Sequence, residues 1–111
     1  PMARPDTITE APLLDPAAMH EHAGDAARLM KALGNENRLM ILCVLAEGEL
    51  SVGELNEKIP LSQSALSQQL SRLRNDGLVR TRRESQTIFY SLAPGPAHRF
   101  IHLLHDIYCS T

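Results

Sequence analysis

The chain has 111 residues, of which 43% are hydrophobic and 22% are charged. These values are typical of a small globular protein and exclude a disordered chain or several large domains. No apolar run approaches the roughly 20 residues that a membrane-spanning helix needs. The start of the chain also lacks the apolar core of a signal peptide, so we expect a cytoplasmic protein that does not enter membranes.

Basic residues concentrate in one part of a chain whose formal net charge is -2. Residues 1–61 contain five Lys or Arg and ten Asp or Glu, whereas residues 62–88 contain five Arg and two acidic residues. A local basic patch on an acidic protein predicts phosphate binding in that region only. An ordinary solvated surface is the alternative interpretation.

Apolar periodicity and capping residues predict the elements of the first half. Residues 1–14 have little periodicity and are expected to form a flexible arm. Apolar residues at three- and four-residue intervals then predict a helix from Asp15 to about Leu33. Asn35 caps a second helix to about Glu47, which is apolar on every face. We expect this helix to be central and buried on all sides.

The middle of the chain predicts a short helix, a tight turn and a longer helix. Ser51 and Glu54 have the spacing of a capping box, which opens a helix to Ile59. After Pro60, Ser62 caps a fourth helix that reaches about Asp76.

A hairpin and a last helix follow. The β-prone runs 78–84 and 87–92 flank a turn at Ser85-Gln86. Residues 97–108 predict an amphipathic helix, with one side formed by Phe100, Leu104, Ile107 and Tyr108. The fold class predicted for residues 15–111 is therefore mainly α: one winged helix-turn-helix domain with five helices and a β-hairpin wing.

The fourth helix and the hairpin offer side chains suited to DNA. Leu66, Leu70 and Leu73 face inward, which leaves an outward face of Ser, Gln and Arg. Gln can pair with adenine and Arg with guanine, and arginines on a hairpin suit phosphate or the minor groove. Protection of an edge strand is the alternative role for these arginines. The candidate DNA-binding residues are Gln63, Ser64, Ser67, Gln68, Gln69, Ser71 and Arg72 on the helix, and Arg80, Arg82, Arg83 and Gln86 on the hairpin.

Several of these segments resemble ArsR-family repressors. The similarity covers about residues 26–109 and includes the Arg38-Leu39 pair at the start of the second helix. It also includes the helix-turn-helix segments 48–55 and 61–70, the wing entry 73–79 and the second wing strand 86–92. The resemblance implies a homodimer that pairs through its first and last helices and represses promoters with imperfect inverted repeats. We expect no cofactor and no enzymatic activity.

Two cysteines occur in the contexts Ile41-Leu42-Cys43 and Tyr108-Cys109. Both contexts resemble the sulfide- and persulfide-responsive subgroup of the family, which includes HlyU-like regulators. That resemblance implies release of DNA when a disulfide or a sulfur chain joins Cys43 and Cys109. The alternatives are a small core residue for Cys43 and an accidental surface thiol for Cys109.

Two further functions remain open. His98, His102 and His105 have helical spacing that suits a metal site, as in zinc- or nickel-responsive relatives, although no ligand precedes them in residues 91–96. One of these imidazoles is also a candidate for lowering the pKa of Cys109. HlyU-like members further suggest an antirepressor role.

Overall fold

The computed structural model describes residues 15–109, so the predicted arm over residues 1–14 lies outside the described residues. The described elements are, in chain order, α1 (Pro16–Leu33), α2 (Glu36–Leu45), β1 (Leu50–Ser51), α3 (Val52–Lys58), α4 (Gln63–Asn75), β2 (Val79–Glu84), β3 (Thr87–Leu92) and α5 (Pro96–Tyr108). The five predicted helices and the hairpin are confirmed. The described residues form two compact units, one ending at Lys31 and the other beginning at Ala32.

Helix α1 provides the structure of the first unit. The side-chain oxygen of Asp15 accepts a hydrogen bond from the Ala17 backbone N–H at 3.1 Å and caps the helix start. Asp25 and Arg28 form an ion pair one turn apart on its surface. Met19 and Met30 are 55% and 45% exposed, so the helix presents apolar side chains outward.

The core of the second unit lies around α2, which contacts α3, α4, α5 and β3. Ile41 and Leu42 of this helix are fully buried. The prediction that α2 is central is confirmed, but the expected burial on all sides is wrong, because Met40 is 44% exposed. One small chain does not supply enough elements to cover every side of a helix.

Local hydrogen bonds set the helix-turn-helix. Ser51 accepts from the Glu54 backbone N–H at 3.2 Å, and the Glu54 carboxylate accepts from the Ser51 N–H at 2.8 Å, which completes the predicted capping box. The Asn56 amide donates to the Leu61 carbonyl at 2.7 Å and fixes the turn between α3 and α4. Gly77, with φ +75°, then ends α4 in a left-handed conformation that favours glycine.

The sheet is antiparallel with the order β1-β3-β2. Phe89 on the middle strand lies opposite Ser51 on one side and Arg82 on the other. The sequence did not predict β1, because a strand of two residues is too short to show alternation.

Helix α5 packs on α2 and leaves most of its larger apolar side chains exposed. Ala97 and Ile101 are buried, whereas Phe100, Ile107 and Tyr108 are 37%, 58% and 78% exposed. The predicted amphipathic helix over residues 97–108 is therefore present, and most of the apolar side named from the sequence lies outward.

Candidate nucleic-acid interface and thiol pair

Helix α4 divides into a buried face and a polar exposed face. Leu66, Leu70 and Leu73 have at most 1% exposure, because they pack into the core at helical spacing. The opposite face consists of small hydroxyl, amide and guanidinium groups. Ten of the predicted DNA-binding residues on α4 and the wing are exposed: Gln63, Ser64, Ser67, Gln68, Ser71, Arg72, Arg80, Arg82, Arg83 and Gln86.

Gln69 differs from the other predicted residues on α4. Its side chain is only half-exposed, and its Oε1 atom is buried with no hydrogen-bond partner among residues 15–109. The amide oxygen of Gln69 is therefore directed away from the surface that the other polar side chains form.

The wing places its three arginines in different surroundings. Arg80 makes no ion pair within the described part of the chain and is exposed. Arg83 donates from Nε to the Ser85 carbonyl at 3.1 Å, close to the tip. Ser85 itself has φ +59°, so the tight turn holds a non-glycine residue in the left-handed region.

Arg82 is held by two carboxylates and a ring. Its Nε and Nη2 atoms donate to the two oxygens of Glu49 at 3.0 and 2.8 Å, and its Nη1 donates to Glu84 at 3.1 Å. The guanidinium carbon lies 4.7 Å from the centre of the Phe89 ring. Hydrogen bonding to Arg82 holds the pKa of Glu49 below its ordinary value; desolvation opposes this shift, and the positive charge of Arg82 adds a smaller lowering effect.

The two cysteines lie on packed elements of the second unit. Cys43 is half-buried on α2, and Cys109 is exposed at the end of α5; both are free thiols. Burial raises the pKa of the Cys43 thiol, and the negative charge of an ionised Cys109 raises it further. The second cause requires the two groups to lie within electrostatic range of each other.

Two of the three histidines of α5 lie close together. The rings of His98 and His102 lie 4.4 Å apart between their centres. Across residues 15–109, however, no three His, Cys, Asp or Glu side chains are grouped closely enough to hold a metal ion. Nor does that range contain a helix long and apolar enough to cross a membrane.

Two residues that position this surface were not singled out from the sequence. Asn56 fixes the turn before α4 from its place on α3, so the residue preferences of turns do not reveal it. Glu49 reaches a side chain 33 residues away, and no local pattern predicts that contact.

The chain is similar to one bacterial protein family and to several regulatory proteins. The family described as bacterial regulatory protein, arsR family, matches residues 35–81. The transcriptional activator HlyU of Vibrio cholerae is 54% identical over 82% of this chain and 84% of its own length. The biofilm growth-associated repressor of Agrobacterium fabrum is 47% identical over 99% of this chain and 92% of its own.

The fold of this chain is also similar to solved structures of such proteins. Reduced HlyU from Vibrio cholerae superposes with a TM-score of 0.78 at 53% identity, covering 83% of this chain and 97% of that one. A homodimeric winged helix-turn-helix DNA-binding domain from Mycobacterium bovis has a TM-score of 0.69 at 31% identity, covering 80% and 82%.

Proposed function

We propose that this chain, which belongs to the ArsR family of bacterial regulatory proteins, is a homodimeric repressor that releases DNA when Cys43 and Cys109 are oxidised to a bridge. The family assignment makes it a transcriptional regulator and not an enzyme. The proposal adds three points to this assignment: the chain forms a homodimer, it represses transcription, and oxidation of its thiols releases DNA.

The DNA contact in this proposal is made by α4 and the wing. The exposed Ser and Gln side chains of α4, together with Arg72, would read base edges in the major groove of an imperfect inverted repeat. Arg80, Arg83 and Gln86 on the wing would contact phosphate or the minor groove. The support is the separation of α4 into a leucine face in the core and a polar face in solvent.

The observation that carries the thiol response is the pairing of an exposed cysteine with a half-buried one on two helices in contact. Cys109 is accessible to a reagent, whereas Cys43 is shielded on α2. A bridge between them would fix the end of α5 to the central helix, on which α3 and α4 also pack. Such a covalent constraint can favour a dimer geometry that does not fit DNA. One HlyU structure that is similar to this chain is that of the reduced protein.

In this proposal a persulfide or polysulfide is the oxidant. The Cys109 thiolate attacks a sulfur of the chain, a new S–S bond forms, and the rest of the reagent leaves as a thiolate. The Cys43 thiolate then attacks the sulfur chain carried by Cys109 and expels hydrosulfide. Both protein thiols are oxidised, sulfane sulfur is reduced to sulfide, and the thiol protons pass to the leaving groups or to water. Peroxide would give a direct disulfide through a sulfenic acid.

The test uses duplex DNA selected from a random library by the reduced protein. We expect inorganic polysulfide to reduce binding of the unsubstituted protein to this duplex by at least about tenfold, a coupling of about 1.4 kcal/mol. Mass spectrometry should show Cys43 and Cys109 linked. The variants Cys43→Ser and Cys109→Ser should bind the duplex when reduced and keep that affinity after treatment.

The outcomes separate the candidate functions. Equal release by peroxide would identify a general thiol switch and not a sulfur-selective one. Release without a Cys43–Cys109 link, or release that persists in both serine variants, would contradict the proposed bridge.

A further inference from the structure

The wing contains one arginine, Arg82, that already bonds two carboxylates of its own chain. An Arg guanidinium offers five N–H donors on two edges. In Arg82, Nε and Nη2 form a bidentate pair with Glu49, and Nη1 bonds Glu84. Phe89 covers one face of the same group. The two carboxylates therefore use three of the five donors and neutralise the positive charge that would attract a DNA phosphate.

The position of Glu49 makes this contact a link across the whole sheet. Glu49 directly precedes β1, whereas Arg82 lies on β2 at the opposite edge, with Phe89 of β3 between them. Because Ser51 of β1 is also the N-cap of α3, the link joins the outer wing strand to the start of the helix-turn-helix.

A single exposed ion pair contributes little to stability, because water and salt screen it. This contact differs in being bidentate, in having a second carboxylate and in being supported by a ring. Strand alternation places Arg80 on the same face of β2 as Arg82, yet Arg80 makes no ion pair in the described residues. Arg80 therefore serves as the unpaired reference for Arg82 in tests of DNA binding.

We propose that Glu49 and Glu84 keep Arg82 from binding DNA phosphate, so that Arg82 positions the wing and the two carboxylates lower the affinity of the protein for DNA of any sequence. This inference rests on the proposed contact between the wing and DNA. It replaces the sequence-based expectation that Arg82 binds DNA directly, while Arg80 and Arg83 keep that role.

Salt dependence tests the proposal, because each phosphate contact changes the slope of log K against log salt concentration by about 0.9. The probe is a fluorescent 30-base-pair duplex of random sequence (a length of about three helical turns), titrated by anisotropy across a KCl series. For Glu49→Gln/Glu84→Gln we expect tighter binding and a slope steeper by about 0.9 per chain. Adding Arg82→Gln to this variant should remove the gain.

Single substitutions complete the comparison. Arg80→Gln should make the slope shallower by about 0.9 per chain, whereas Arg82→Gln alone should leave it unchanged. The variant Glu47→Gln/Glu57→Gln removes the same charge from exposed residues that do not pair with Arg82, and should not reproduce the steeper slope. Hydrogen exchange of the segment 79–92 checks that the wing stays folded. If Arg82→Gln loses that protection, Arg82→Lys replaces it, with the same expectation.

The Arg80→Gln variant distinguishes this inference from the proposed function. An unchanged slope in Arg80→Gln would contradict the wing contact itself. If Arg80→Gln acts as expected, the present proposal is overturned by either of two results: no steeper slope in the double carboxylate variant, or a shallower slope in Arg82→Gln alone. An equal gain in Glu47→Gln/Glu57→Gln would also overturn it, because a general charge effect would then suffice.

Discussion

At Cys43, burial and a neighbouring charge act on the thiol in the same direction. Both disfavour the thiolate, so the pKa of Cys43 lies above that of an ordinary cysteine. Cys109 lies exposed at the end of α5. Because the thiolate is the nucleophile, the first attack on a sulfur reagent is expected at Cys109. Cys43 is then the thiol that closes the bridge.

Alkylation by iodoacetamide as a function of pH tests this order. A raised pKa means that the labelling rate of Cys43 rises only at pH values above the ordinary thiol range, and that Cys109 is labelled first at neutral pH. Cys109→Ser removes the lesser of the two causes and should shift the Cys43 profile to lower pH. Peptide mass spectrometry measures both rates. Faster labelling of Cys43 than of Cys109 at neutral pH would contradict the assignment.

Among the elements, the short helix α3 depends strongly on its start. It has only seven residues, and isolated helices of this length are unstable in water. Its first turn is held by the reciprocal bonds of Ser51 and Glu54, and its inner side by the buried Leu55. The same Ser51 belongs to β1, so one residue supports both the helix and the third strand.

Ser51→Ala is therefore expected to lower the free energy of unfolding by about 1 kcal/mol, because the Glu54 N–H loses its acceptor. Urea unfolding followed by circular dichroism measures the change. Ser67→Ala on the exposed face of α4 is the matched control and should change stability by less than about 0.5 kcal/mol. Equal losses in the two variants would show that the capping box does not stabilise the fold.

The molecule as a whole has an apolar surface on α5 that its own chain leaves exposed. Leu103, Ile107 and Tyr108 are 51%, 58% and 78% exposed. Clustered apolar side chains of this kind are typical of a protein interface. The similar domain from Mycobacterium bovis is homodimeric, and the proposed homodimer of this chain would cover the exposed apolar surface of α5.

Ile107→Asp should therefore convert the dimer to a monomer, because it buries an unpaired charge in the proposed interface. Affinity for the selected duplex should fall by on the order of 100-fold, since two linked half-site contacts become one. Sedimentation velocity gives the mass and anisotropy gives the affinity. Asn37→Asp adds the same charge at an exposed residue of α2 and should remain dimeric. A dimeric Ile107→Asp protein would place the interface elsewhere.

The sequence by itself determined the helices and the hairpin, because their signals are local, whereas the two-residue β1 was not predictable. Capping by Asn35, Ser51 and Ser62 sets the starts of α2, α3 and α4, and the glycine after α4 sets its end, each within a few residues. The leucine face of α4 likewise follows from helical spacing. Its polar face, and with it most of the candidate DNA-binding residues, was therefore predictable.

Only the tertiary structure decided which apolar side of α5 packs inward and which of the wing arginines are occupied. Both depend on contacts between residues far apart in the chain, for which no local periodicity exists. Arg82 is held by Glu49 across three strands, and Met40 is exposed because too few elements surround α2. The cysteine contexts were readable from the sequence, but the shielding of Cys43 and its electrostatic coupling to Cys109 arise from the packing of α5 on α2.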